Sequence, residues 1–576
     1  MKKLFSIILF LLFANLMLQG QTYDRNKADS LFNSRKEVYF KFRIFDRTEI
    51  YTLTRIISID NVNGNEVFAY ANRAEFEKFS KLGYEIVILP SPGSLLTDAE
   101  LMKPAGTQKP SGPELWNFYP TYGQYIDTMV YFANTYPSIC KLDTIGLTVD
   151  GRLLLVLKIS KDVNTDGAKP QFFYTSTMHG DEVTGYVGML HLIEYLLTNY
   201  GTLPRITRIL DSIELYINPL ANPDGTYAGG NNTVNGATYE NANGINLNRN
   251  YPDIVYGPHP DGEAWQPETI AFMNFANAMN FTMSANFHGG AEVFNYPWDC
   301  WRSDTITADN SWWQYVGHEF ADTCHYYGPS GYFTNPYPSG ITDGGDWYWV
   351  HGGRQDYMNY WHHDREVTIE ISTIKMPPAS QLVLYWNYLY HSYLNYIEQS
   401  LYGIHGIVTD TATGQPLRAF IYITGHDKDS SQIYSRLPSG YYDRVIDQGS
   451  WNLTFASQGY YTKTISNINV MHYQGVHLDV QLKSLTYGTS DLNREELTIY
   501  PSPANTDVHI VFPETDSKKW KLVLLNTMGT SMYSSEISNS GKLIYVLDVA
   551  SFPDGMYVVI LSNENGIYRK QIIVRH

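Results

Sequence analysis

From about residue 114 to residue 401 the hydrophobic pattern switches repeatedly between period two and period 3.6. Short apolar runs at 171–177, 213–217, 282–287 and 366–371 predict strands. Longer amphipathic stretches at 122–136, 183–200, 268–279 and 381–400 predict helices. Strands that alternate with helices need a largely parallel or mixed sheet with helices covering it. Ligand sites in such sheets gather beyond the carboxyl ends of the strands. Polar side chains just after a predicted strand are therefore the ones to weigh for chemistry.

The rest of the 576-residue chain reads as separate units. Lys2 and Lys3 precede an apolar run from Leu4 to Leu18, followed by Gly20 and Gln21. That is the layout of a secretory signal peptide over residues 1–20. The run is shorter than the ~20 residues of a spanning helix, and no later segment is apolar enough to span. Residues 21–112 predict a small, propeptide-like α/β unit and a linker. Val38, Phe40, Phe42 and Ile44 alternate with polar neighbours, Asn63-Gly64 marks a turn, 74–82 reads as a helix and 84–89 as a strand. The Pro-, Gly-, Ser- and Lys-rich stretch 90–113 has the composition of an exposed, cleavable linker. Residues 113–401 form the α/β domain. Beyond them only short strands between Gly and Pro turns remain, which predicts a β-sandwich over 402–483 and a second β-rich module over 484–576.

Lys and Arg number 41 against 58 Asp and Glu, a net charge of −17. Nucleic-acid binding needs a basic stripe, so no nucleic-acid partner is expected. Residues 115–400 hold 29 of the 58 acidic residues and 12 of the 41 basic ones, so the whole imbalance lies in the α/β segment. Such a field concentrates cationic substrates. Three cysteines allow no cysteine-rich metal site.

Within that segment His179-Gly180-Asp181-Glu182 directly follows a predicted strand. An imidazole and a carboxylate three residues apart in a strand-end loop can share one cation, and both suit zinc. Two further H-x-x-E pairs, His191/Glu194 and His363/Glu366, fall in a helix and at a strand start, and read as structural. A catalytic zinc takes three protein ligands. His288, at the end of the predicted strand 282–287, is placed to be the third, although on position alone a core histidine fits equally. Arg249, in Asn246-Leu247-Asn248-Arg249-Asn250, is the only basic residue between Arg208 and Arg302. It suits bidentate capture of a carboxylate or an ordinary loop ion pair.

Together these motifs resemble the zinc metallocarboxypeptidases, most closely the carboxypeptidase N/E-like regulatory subgroup. The resemblance covers residues 115–401. It runs through Thr177–Glu182, Asn222-Pro223-Asp224-Gly225, Asn248-Arg249, the stretch from Ser284 to Asp299, Trp347–Tyr357 and Glu366–Glu370 in the family's order. It implies an eight-stranded mixed sheet flanked by helices, and one Zn²⁺ held by His179, Glu182 and His288. It implies Glu370 as the catalytic acid–base, with Asn248, Arg249 and Tyr348 clamping the substrate's terminal carboxylate. Asp299 and Gln355 match positions that favour a C-terminal Lys or Arg. The β-module from Gly403 to Leu482 looks like a transthyretin-like sandwich. The tail, with Tyr500-Pro501-Ser502-Pro503, resembles C-terminal sorting domains of type IX secretion.

The resemblance thus implies a secreted or cell-surface enzyme, exported through the periplasm with the secretion machinery as a partner, that acts on peptide or protein C-termini. Two other readings share these motifs: a peptidase for diaminopimelate-ended cell-wall peptides, and a catalytically weak surface binding protein. Two departures bear on activity. The family's run R-x-N-A-x-G-x-D-L-N-R-N begins here with Tyr239 in place of an Arg that stabilises the oxyanion. Arg354 stands where relatives carry Met, and offers a replacement charge.

Overall fold

The computed structural model describes residues 23–102, 116–165, 167–301, 305–485, 497–512, 519–527, 529–538, 544–563 and 566–576. The segment read as a signal peptide lies outside them. The chain divides into two compact units at Ser484 and Leu485.

The first unit opens with four strands: β1 (Glu37–Arg43), β2 (Ser58–Asn63), β3 (Glu66–Asn72) and β4 (Val87–Ile88). They form an antiparallel sheet of order β2-β3-β1-β4. The alternation at Val38, Phe40 and Phe42 puts these side chains on one face, where helices Arg25–Arg35 and Arg73–Ser80 bury them with Phe32, Phe76 and Phe79. The turn at Asn63-Gly64 joins β2 to β3, and Gly64 supplies a φ of 60°. The predicted closing strand shortens to Val87–Ile88.

The second sheet contains β5 (Cys140–Leu147), β6 (Leu153–Ile159), β7 (Gln171–Ser176), β8 (Glu214–Asn218), β9 (Phe281–His288), β10 (Glu292–Tyr296), β11 (Ile341–Asp343) and β12 (Arg365–Ile371). Its order is β11-β10-β12-β9-β7-β8-β6-β5. The four central strands β12, β9, β7 and β8 run parallel, β10 and β11 run parallel to each other but antiparallel to β12, and β6 and β5 close the other side antiparallel. This is the mixed sheet that the alternation predicts. Every residue of β7, β8 and β9 is buried. Helices on both faces explain this. Phe172 and Tyr174 join a core with helices Tyr122–Thr135, Thr184–Asn199, Asn310–Tyr327 and Leu382–Gln399, while Phe173 points to the other face, toward Pro267–Ala278 and Arg354–His362.

The stretch 90–113 differs from a linker in its described part. Helix Asp98–Leu101 buries Leu101 in the main core, and Gly93 packs against Ala237. Composition marked this stretch as open chain, but backbone bonds such as Gly236 N–H to Gly93 O hold it.

From Gly403 two sheets follow. One pairs Gly403–Asp410 with Tyr441–Arg444, Gly475–His477 and Val480–Leu482, and the other contains Phe420–Ile423, Ile433–Tyr434, Gly449–Ala456 and Lys463–Val470. A buried charge cluster joins this module to the α/β part. Asp309 accepts from Arg365 Nη2 at 2.7 Å and from Arg444 Nη1 and Nη2 at 3.0 and 2.9 Å. The second unit has a three-stranded and a four-stranded antiparallel sheet around Trp520, Leu522, Val559 and Ile572. Among the described residues no helix is long and apolar enough to cross a membrane.

Candidate metal and peptide site

The parallel strands bring the motif residues together because β7, β9 and β12 end side by side. The chain leaves β7 through Thr177, whose φ of 62° is left-handed for a β-branched residue. Such a conformation costs about 1–3 kcal/mol and persists only where its surroundings over-determine it. Here Thr177 Oγ1 donates to Glu182 O at 2.9 Å, and its backbone bonds Phe287 and Asn222. Gly180 lies against the Asn222–Thr226 turn, where a Cβ would come within 2.4 Å of Gly225 C. The tight turn is thereby locked with His179 and Glu182 facing inward.

His288, the last residue of β9, meets them. His179 Nδ1 lies 3.0 Å from Glu182 Oε1 and 3.1 Å from His288 Nδ1, which is 2.8 Å from Glu182 Oε2. The three donor atoms fall within 4.8 Å of one another. The outer nitrogens are held from behind: His179 Nε2 by Asn246 Oδ1 at 3.1 Å, His288 Nε2 by Asn286 Oδ1 at 2.6 Å. Amide oxygens only accept, so they fix Nε2–H and leave both Nδ1 lone pairs inward. Burial pushes His179 down to about 4, so it is the neutral imidazole that a metal requires. Burial works to raise Glu182, but its charged and hydrogen-bonding neighbours, with the Lys375 ammonium at 2.5 Å among them, hold it well below the carboxylate range. Two imidazole nitrogens and a carboxylate that converge within one pocket fit zinc.

Glu370, on β12, is in register with His288. Its Oε2 is buried without a partner, and burial together with Glu182 pushes its carboxyl up. Asn248 and Arg249 come from the turn Leu247–Arg249. Arg249 Nη1 donates to Asn248 O at 2.8 Å, while its Nε is buried and unpartnered. Tyr348 lines the same pocket, as do Thr368, Asn295 and Asp299. Thr368 lies two residues before Glu370 on the same face of β12, opposite Asn295 of β10, so the pocket runs down the sheet from Glu370 to Asp299. Asp299 Oδ1 accepts from Asn295 Nδ2 at 2.9 Å, and a Cβ at Gly344 would come within 2.0 Å of that oxygen. Burial pushes Asp299 up to about 6, against Asn295 and Arg249.

Eight of the nine candidate residues therefore line one pocket. Gln355 stands one layer back, accepting from Thr368 N–H at 2.6 Å. Arg354 does not supply the missing charge. It is 1% exposed, pairs with Glu366 at 3.1 Å and lies under the rings of Phe173 and Phe272. Helix Arg354–His362 turns it into the core, away from the pocket. His191 stacks on Trp386 and Glu194 accepts from Trp116 Nε1, while Glu366 accepts from Ser284 and Asn286. These two extra pairs are structural, as their positions predict.

Sequence reasoning missed three contributors. Asn246, behind His179, stands at the Asp of the family run. Lys375 Nζ lies 2.5 Å from Glu182 Oε1. It is the only Lys or Arg between Arg365 and Arg418, the same isolation that singled out Arg249. The third contributor is the N-terminal sheet. Ile59 and Asp60 of β2 line the pocket, Asp60 Oδ1 lies 2.6 Å from Lys375 Nζ, and Asn246 Nδ2 donates to Ser58 Oγ at 2.8 Å. Glu37 accepts the N–H groups of Tyr239 and Glu240 at 3.1 and 3.0 Å, and Thr54 Oγ1 donates to Trp349 O at 2.8 Å. With this sheet in place the pocket holds about 30 Å³, room for about one water.

Residues 125–392 match the family model described as zinc carboxypeptidase, and residues 498–575 match the secretion system C-terminal sorting domain. Similar curated proteins include carboxypeptidase D of Anas platyrhynchos, 34% identical over 65% of this chain and 28% of its own length. Carboxypeptidase N catalytic chain of Rattus norvegicus is 32% identical over 63% of this chain and 86% of its own. The chain thus spans about a quarter of the carboxypeptidase D relatives but most of the carboxypeptidase N chain. Among solved structures, carboxypeptidase A from Helicoverpa armigera superposes with a TM-score of 0.50 at 15% identity, covering 63% of this chain and 97% of that one, a likeness of fold.

Proposed function

The chain belongs to the zinc carboxypeptidase family, and on that premise we propose that residues 113–401 remove the C-terminal residue, Lys or Arg by preference, from peptides or proteins outside the cell. The supporting observation is that one pocket gathers a three-donor metal site, Glu370 and Arg249, with Glu370 Oε2 and Arg249 Nε both buried and unpartnered. Buried polar atoms normally have partners, and these two are left for a ligand.

His179, Glu182 and His288 would hold zinc, which supplies Lewis acidity toward the scissile carbonyl and lowers the pKa of water. Glu370 takes the proton of the attacking water and delivers it to the leaving amine. Arg249, with Asn248 and Tyr348, pairs with the terminal carboxylate. An internal peptide bond offers no such carboxylate, so only the last residue is cut. Asp299, anionic above about pH 6, faces the side chain of that residue and favours a cation. The N-terminal sheet covers the pocket as a prosegment and must withdraw before a peptide enters. The sorting domain directs export by the type IX route.

The test is zinc content, with hydrolysis of peptides ending in Lys, Leu, Glu and diaminopimelate, before and after chelation. One zinc per chain, chelator-sensitive release of Lys, and loss of turnover in Glu370→Gln with zinc retained support the reading. A metal-free, inert protein leaves a binding protein instead, and faster cleavage at diaminopimelate makes the substrate a cell-wall peptide.

A further inference from the structure

Peptide hydrolysis builds negative charge on the scissile carbonyl oxygen, and a positioned cation there accelerates the step. Position 239 is a tyrosine, its ring stacked on His179 at 3.7 Å. Arg354 is paired in the core. Arg249 is taken by the terminal carboxylate. Among the described residues, one further cation reaches the metal triad. Lys375 Nζ stands 4.9 Å above the centre of the Tyr239 ring, so the aromatic at the vacated position is itself covered by an ammonium.

An ammonium has three protons to place. Lys375 gives them to Glu182 Oε1 at 2.5 Å, Gly289 O at 3.1 Å and Asp60 Oδ1 at 2.6 Å. The first two acceptors belong to the α/β domain and fix the side chain from behind. The third belongs to β2 of the N-terminal sheet, and Asp60 also lines the pocket. When that sheet withdraws, one N–H of a buried lysine loses its acceptor on the pocket side, a costly state that a substrate oxygen relieves.

We infer that Lys375 is the cation that stabilises the charge developing on the scissile carbonyl oxygen in this chain, and that Asp60 occupies that oxygen's place while the N-terminal sheet is docked. This rests on the carboxypeptidase reading above. The role that relatives give to an Arg at the first position of the run passes here to a Lys 136 positions further along.

The test uses the folded full-length protein, assayed as expressed and again after limited proteolysis between residues 103 and 115. Lys375→Met and the neutral but hydrogen-bonding Lys375→Gln are both expected to lower kcat about 10²–10³-fold, the usual cost of one oxyanion donor, with KM little changed and one zinc retained. Tyr239→Arg added to either variant is expected to restore kcat at least about tenfold by returning a cation to the family position. A second arm measures binding of a peptide phosphonate, whose tetrahedral anion mimics the charged oxygen. Loss of Lys375 should weaken the phosphonate about 100-fold and leave a product amino acid, held through its carboxylate, nearly unaffected. Full kcat in Lys375→Gln, kcat loss that tracks zinc loss, or no rescue by Tyr239→Arg each overturns the inference. If the unmutated protein neither hydrolyses peptides nor binds the phosphonate, the carboxypeptidase reading falls first and takes this one with it.

Discussion

Tyr70 donates its hydroxyl to Asp181 Oδ2 at 2.6 Å, tying the N-terminal sheet to the turn that carries His179 and Glu182. The Tyr70 ring stacks at 4.3 Å on Tyr239, which stacks on His179. The N-terminal sheet thus meets the site through buried, directional contacts.

That docking predicts latency. With a protease site inserted between residues 103 and 115, turnover of a Lys-ended peptide should rise roughly tenfold or more on cutting, because closure gates access. Equal rates before and after cutting would falsify the covering role.

Arg249 predicts discrimination at the substrate's end. Its Nε is buried and unpaired, and sites built to pair a polar group reject analogues that lack it by about 10⁴–10⁵. Free-acid peptides should be cleaved far faster than their C-terminal amides, and Arg249→Ala should erase most of that ratio. An amide cleaved as well as the acid by the unmutated protein contradicts the clamp.

Asp299 predicts a pH-dependent preference. Burial raises its carboxyl to about 6, so it is charged above that pH and neutral below it. The ratio of kcat/KM for Lys-ended over Leu-ended peptides should fall as pH drops through about 6, and Asp299→Asn should show a low, flat ratio. A ratio independent of pH in the unmutated protein argues against Asp299 as the selector.

The Asp309 cluster predicts stability. Burial works to raise Asp309, but Arg444 and Arg365 outweigh it and hold the carboxyl well below its ordinary range. A depressed carboxylate stabilises above the unfolded value of about 3.9, and the gain is lost as pH falls below it. Arg444→Met leaves Asp309 and Asp427 short of a buried partner, which should cost about 3–5 kcal/mol in urea unfolding at pH 7. A change under about 1 kcal/mol would mean that the module joint relies on apolar packing instead.

The local pattern gave the four central strands of the sheet, the strand ends where the candidate site lies, and the His179/Glu182 pair, whereas the outer strands and His288 as a third ligand were expected only from the family resemblance. The predicted helices at 122–136 and 183–200 appear as Tyr122–Thr135 and Thr184–Asn199, because their apolar faces recur at the helical period. His179 and Glu182 were legible because they lie three residues apart in one turn. Helix Asn310–Tyr327 is not among the predicted elements, although Trp312, Trp313, Val316, Phe320, Ala321 and Cys324 recur at the helical period and form its buried face.

Which distant polar groups meet is set by how the elements pack in three dimensions. Glu182 and Lys375 are 193 residues apart, Tyr70 and Asp181 are 111 apart, and both pairs exist because strand register and sheet docking bring them together. Arg354 and Gln355 follow Gly353 in the run that resembles the specificity loop, yet one turns into the core against Glu366 and the other stands behind Thr368. A local pattern encodes which face of an element is apolar. It does not encode which polar group the fold will bury beside which, as the Lys375–Glu182 and Tyr70–Asp181 pairs show.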